Sequence, residues 1–121
     1  MSNFEVGPIS MIEVERMIQS AELQDRVTAL ISAALYGDDR ERVREIVMQH
    51  LIDQHPDVVM AAIISVGHCA RIDGTCDLST LQPIFQFLFE DERYFGRLRD
   101  AINDIEMFTS LDRSDFELYF D

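Results

Sequence analysis

The chain has 121 residues and a mass of 14.0 kDa, one domain's length with no shift in composition to mark a linker. Its 23 acidic residues face 10 basic ones, all arginine, for a net charge of −13, and such a surface repels nucleic acid. The longest uncharged stretch, Val58–Ala70, is too short to span a bilayer, and MSNFEVGPIS lacks the basic start and apolar run of a secretory signal, so a cytoplasmic protein without a membrane partner is expected.

Glycines number five and prolines three, and apolar residues recur at three- and four-residue spacing, which predicts a succession of helices and no strands. Residues 1–9 receive no element. Ser10 and Glu13 form an S-x-x-E capping box for a first helix running to about Gln19. Ser20 is the expected cap of a second helix with Leu23, Val27, Leu30, Ile31 and Ala34 on one face, and Gly37 its expected left-handed stop. Asp38 and Asp39 suit the start of a third, whose stripe is Val43, Ile46, Val47, His50 and Leu51 and which ends near Gln54.

Pro56 fits the first turn of a fourth helix, because its missing amide proton has no partner there in any case. Val58–Val66 is apolar all round, the mark of a helix covered on most sides, and Asp73-Gly74 ends it. Ser79 or Thr80 caps a fifth helix with Pro83 in its first turn and Leu81, Ile84, Phe85 and Leu88 facing inward. Asp91 or Glu92 begins a sixth, with Phe95, Leu98, Ala101, Ile102, Ile105 and Phe108 inward and Asp100, Asn103 and Asp104 outward. Residues 110–121 read as a short helix, a docked strand or a mobile end, and in the first two cases as a C-terminal cap.

A shift of 36 residues lays Ala62 on Leu98, Val66 on Ile102, Cys69 on Ile105 and Ile72 on Phe108, apolar on apolar each time. Helical pairs that cannot bury their apolar faces alone follow the logic of a stacked α-solenoid. The run DVVMAAIISVGHCARIDG and the following DLSTLQPIFQFLFEDERYFGRLRDAINDIEMF resemble a HEAT-like helical pair of the small acidic immunity proteins of bacterial polymorphic-toxin and contact-dependent growth-inhibition systems. The likeness covers about Pro56–Phe108 and rests on Ala61, Ala62, Gly67, Ala70 and Arg71 in the first segment and on Ala101, Ile102, Asp104 and Ile105 in the last. It implies an all-α fold, a compact right-handed array of about six helices stacked as HEAT-like pairs in one domain over residues 1–121. It also implies binding and blocking of a toxin made by the same genome, with no contact residue carried over.

Catalytic and metal chemistry find little purchase. Two cysteines, Cys69 and Cys76, lack the paired short spacings of a zinc site, and neighbouring His68 and Cys69 project in different directions from a helix. No metal, no cofactor and no enzymatic activity are expected. Cys69 falls on the apolar stripe as a small hydrophobe, and both thiols are expected to be free in a reducing compartment. His50 lies on an apolar face and is read as a hydrogen-bonded core histidine, whereas His68, equivalent to Asp104 under the 36-residue shift, reads equally as a packing residue or as one exposed beside Asp104 on a shared binding face. Asp100 with Asp104 and Asp112 with Asp115 read as solvated pairs, for lack of a cleft. Arg40, Arg42 and Arg44, interleaved with Glu41 and Glu45, are expected to pair within their helix.

Charge distribution is the feature that points to function. Residues 90–121 hold ten acids and four arginines, net −6, whereas the 89 residues before them hold thirteen and six, net −7. Tyr94, Met107, Phe116, Tyr119 and Phe120 interleave with those acids, as anchors do in an interface for a basic protein. The expected contacts with a basic toxin, a nuclease being the class that carboxylates suit, are Tyr94, Asp100, Asp104, Asp112, Asp115 and Glu117. The alternative is an acidic HEAT-like adaptor or nucleic-acid-mimicking regulator of an endogenous protein.

Overall fold

The computed structural model describes residues 6–120. Among them every element is helical: α1 (Met11–Met17), α2 (Leu23–Tyr36), α3 (Arg40–His50), α4 (Pro56–Asp73), α5 (Leu78–Phe89), a 3-10 turn (Glu92–Tyr94), α6 (Phe95–Phe108) and α7 (Arg113–Phe116). No described helix is long and apolar enough to cross a membrane. Of the segment left without an element, residues 1–5 lie outside the described residues. Residues 6–10 are not helical, and the Gly7 carbonyl accepts the buried Ser32 hydroxyl at 2.9 Å.

Helix ends follow their cap chemistry at several positions. Ser10 Oγ accepts the Glu13 amide at 3.2 Å, but the Glu13 carboxylate turns to Arg16 instead of back to Ser10, so only half of the expected capping box forms; Pro56 opens α4, and Gly74 closes it in the left-handed region at φ 70°. Asp39 caps α3 through the Arg42 amide, and that helix ends at His50, short of the expected Gln54. Ser20 does not cap α2. Its hydroxyl accepts the Glu22 amide and donates to Asp25, making a turn before the helix starts at Leu23. Gly37 is not left-handed but extended, at φ −62°. What selects glycine there is space: a Cβ would lie 2.5 Å from Val43 Cγ2 and 2.7 Å from the Ala33 carbonyl oxygen. Asp77, rather than Ser79 or Thr80, caps α5, accepting from the Thr80 amide and both hydroxyls, so those residues fall inside the helix and Pro83 beyond its first turn. The carboxylate outcompetes the hydroxyls because it is ionised and can accept several donors at once.

α4 is the central element, flanked by α2 and α6 and covered by α3. Its small residues Ala61, Ala62, Gly67 and Ala70 are buried and let neighbours approach closely, and Ser65 satisfies its hydroxyl on the Ala61 carbonyl at 2.7 Å. The arginines of α3 pair between elements more than within their helix. Arg40 and Arg44 both reach Asp73 at the end of α4, at 2.8 and 3.1 Å, and Arg42 reaches Glu15 of α1 at 2.7 Å, with Glu45 a looser intrahelical partner at 3.6 Å. Tertiary packing set those partners, which local spacing could not show.

Residues 111–120 hold the short helix α7 and dock on α5. Phe116 and Leu118 are buried, with the Phe116 ring 5.4 Å from that of Phe85 on α5. Gln86 Nε2 donates to the Phe116 and Glu117 carbonyls at 2.6 and 2.8 Å, and Glu117 leaves α7 in the left-handed region at φ 56°. Side chain and main chain together hold this segment on α5.

Candidate functional site

The outward face of α6 follows from its period. Leu98, Ala101, Ile102 and Ile105 are buried, which turns Asp100, Asn103, Asp104 and Met107 the other way at the i, i+3, i+4 and i+7 spacing of one helical face. Asp100 is exposed and Asp104 half-buried, and neither makes an ion pair among the described residues. Met107 is 74% exposed, an apolar side chain in a carboxylate surround. Phe95 and Phe108, expected inward, are 39% and 38% exposed at the two ends of α6, with the Phe95 ring stacked on that of Phe89 at 4.8 Å.

Asp104 also lies on the α4 seam. Its Oδ2 sits where a Cβ at Gly67 would come within 2.6 Å, so that glycine leaves the room the carboxylate fills. His68 lies within reach of its charge, as one of the two readings of the 36-residue register has it. Burial pushes the His68 imidazole below its ordinary pKa, Arg71 pushes the same way, and the Asp104 carboxylate opposes them. Arg71 donates to His68 Nδ1 at 3.0 Å, which leaves that nitrogen the acceptor.

The remaining expected contacts divide by role. Asp112 and Asp115 are exposed, but each is engaged in the capping box of α7: Asp112 Oδ1 accepts the Ser114 amide, and Asp115 Oδ2 accepts the Asp112 amide, both at 2.9 Å. Hydrogen bonds from Ser114 hold the Asp112 carboxyl below its usual range. Glu117 is exposed at the end of α7. Tyr94 requires a correction: at 5% exposure it packs in the core, with the Arg93 guanidinium 5.4 Å above its ring, and is no surface anchor. Phe116 is buried with it. Tyr119, 73% exposed, is the aromatic of this end that faces solvent.

Two cations near this face, Arg113 and Arg93, are already committed, whereas Arg99 of α6 is exposed and makes no ion pair among the described residues. Arg113 pairs with Glu106 at 2.6 Å and reaches Asn103 Oδ1 at 3.1 Å, and that pairing, led by the side-chain hydrogen bond, holds the Glu106 carboxyl low. Arg93 pairs with Asp91 at 2.7 Å. The α6 face thus presents Asp100 and Asp104 on a rigid helix, bordered by Arg97 and Arg99 of the same helix.

Elsewhere His50 and the two cysteines are at least half-buried, whereas His55 is exposed at the start of α4. His50 makes the expected hydrogen bond, Nδ1 donating to the Ile46 carbonyl at 2.7 Å, but it is half-buried and lies outside the core. Both cysteines are free thiols, and burial pushes each up to about 11, so both stay protonated at neutral pH and are poor nucleophiles. Among the described residues no group of three or more His, Cys, Asp or Glu is placed to hold a metal ion. Two clefts escaped the sequence reading, since each joins residues far apart in the chain. One of about 410 Å³ lies between α3 and α5, and one of about 750 Å³ is flanked by Ile52 and Phe87, both largely exposed.

No family profile, curated protein or solved structure matches the chain.

Proposed function

We propose that the chain is a cytoplasmic immunity protein that neutralises a basic toxin domain by binding it, with no catalysis of its own. The observation that carries the proposal is the outer face of α6, where Asp100 and Asp104 make no ion pair among the described residues and stand beside the exposed Met107. Carboxylates held on a rigid helix steer a basic partner into encounter and stand in for phosphates, and an apolar neighbour supplies buried area once docked. A nuclease is the toxin class whose substrate surface such a face fits. The side-by-side placement of α2, α4 and α6, with α3 behind α4, supports a short HEAT-like stack closed by the docked tail.

A tagged pull-down from native lysate at low salt, read by mass spectrometry, tests this. The expected outcome is one basic protein encoded beside this chain's own gene. Recovery of housekeeping proteins alone would replace the reading with that of an acidic adaptor.

A further inference from the structure

The groove between α3 and α5 combines an apolar interior with an acidic rim. Val66 and Cys69 of α4 form its floor, and Val47, Met48, Cys76 and Leu81 face it from the sides, enclosing about 410 Å³. At its edges stand the exposed carboxylates Glu41, Glu45 and Asp77. Its one cation among the described lining residues, Arg44, is held by Asp73 at 3.1 Å. α3 and α5 are not packed against each other here, and both cysteines serve as soft apolar lining.

We infer that this groove receives the apolar face of a basic amphipathic helix from a partner protein. α3 is seated on α4 and α5 on α6, and the trough left between α3 and α5 is of the kind into which a helix lays its i, i+3, i+4 and i+7 side chains. The rim decides the charge of the occupant. A fatty acid or other anionic amphiphile would bring its headgroup against three carboxylates, and a second copy would bring another net charge of −13. Lysines or arginines flanking apolar residues satisfy both interior and rim. The inference stands apart from the toxin reading, since it concerns a different face of the molecule and a different element of recognition.

The test uses the full chain and a fluorescent synthetic helix of about 15 residues, with leucines at the i, i+3, i+4 and i+7 positions and lysines elsewhere. Anisotropy measures affinity at roughly physiological salt, where attraction beyond about 8 Å is screened. Amide shift mapping on the wild-type protein locates the peptide. The expected result is perturbation of Val47, Met48, Thr80 and Leu81, with Met48→Glu weakening binding at least roughly tenfold. That variant separates docking from attraction by net charge: it makes the protein more acidic, so attraction alone predicts equal or tighter binding. Unchanged or tighter binding by a folded Met48→Glu would overturn the inference. So would shifts confined to α6 or to the Ile52–Phe87 cleft, dimerisation in place of peptide binding, or no binding at all. The shift map does not depend on the variant's folding. A toxin captured in lysate alongside a peptide that fails to bind would sink the groove alone, and the reverse pair of results would sink the toxin reading alone.

Discussion

α4 and α6 share a 36-residue register, yet one is an interior helix and the other an end helix. Ala62 and Leu98, Val66 and Ile102, and Cys69 and Ile105 are buried in matching positions. Away from that stripe the chemistry diverges: Ile63 and Gly67 of α4 are buried, whereas Arg99 and Asn103, at the corresponding places in α6, are exposed. The difference lies in neighbours, because α2 covers a flank of α4 and α6 has no such helix beyond it. An interior helix must spend every face on packing and needs small residues to let others near. An end helix is free to carry charge, so the surface that acts on a partner is to be sought on α6.

The comparison is broken most directly in the core. Truncating Ile102 to alanine leaves a cavity under α6 and is expected to cost about 2–5 kcal/mol in urea denaturation. At the matching level of α4 the dangerous change is in the opposite direction: Ala62→Leu overfills a helix with neighbours on both flanks, at about 1–3 kcal/mol. If the leucine were accommodated at no cost, α4 would not be closely packed between α2 and α6.

A smaller and sharper effect is expected at the seam itself. A helical Gly→Ala change gains up to about 1 kcal/mol from propensity alone, but at Gly67 the new Cβ meets Asp104 Oδ2 at 2.6 Å. Gly67→Ala is therefore expected to stabilise the Asp104→Ala protein and to be neutral or destabilising with Asp104 present. A double-mutant cycle reads the coupling, and equal effects in both backgrounds would show that the carboxylate does not occupy that space.

On the charged face the effect is kinetic. Asp100→Asn with Asp104→Asn should leave stability within about 0.5 kcal/mol. It should also slow association with the captured basic partner and flatten the salt dependence of the on-rate. An on-rate unchanged at low salt would move the toxin interface off α6.

Local chemistry made much of this legible in advance. Ser10 with Glu13, Pro56 and Gly74 mark helix ends because a cap is decided by a few adjacent residues, and the apolar run of α4 announced its central place. Where local choices compete, the sequence was less informative: Asp77 won over Ser79 and Thr80, and Gly37 proved to be selected by a neighbouring side chain and carbonyl rather than by its own φ. Tyr94 misled because an aromatic among charges looks exposed in sequence, while a 3-10 turn rotates it into the core. The α3–α5 groove was invisible for a different reason, as its walls are joined only by the packing of distant segments.

The smallest expected effect concerns His68, the residue of α4 that answers Asp104 of α6. Burial and Arg71 place its folded pKa below the 6.5 of an unperturbed imidazole, so charging it inside the fold is disfavoured. Above that unfolded value both states hold the neutral ring and His68 contributes no pH dependence. As pH falls through it, the unfolded chain takes up the proton first, and stability drifts down until the folded pKa is reached. Subtracting the stability curve of His68→Gln from that of the wild type cancels the titration of the many carboxylates and isolates this drift. Asp104→Asn removes the group that opposes the shift, so the His68 ring protons should titrate lower in that variant, and Arg71→Ala should move them higher. Proton NMR follows both directly. A His68 titration indifferent to Asp104 would mean that the carboxylate does not act on the imidazole, and the 36-residue register would lose this electrostatic contact between α4 and α6.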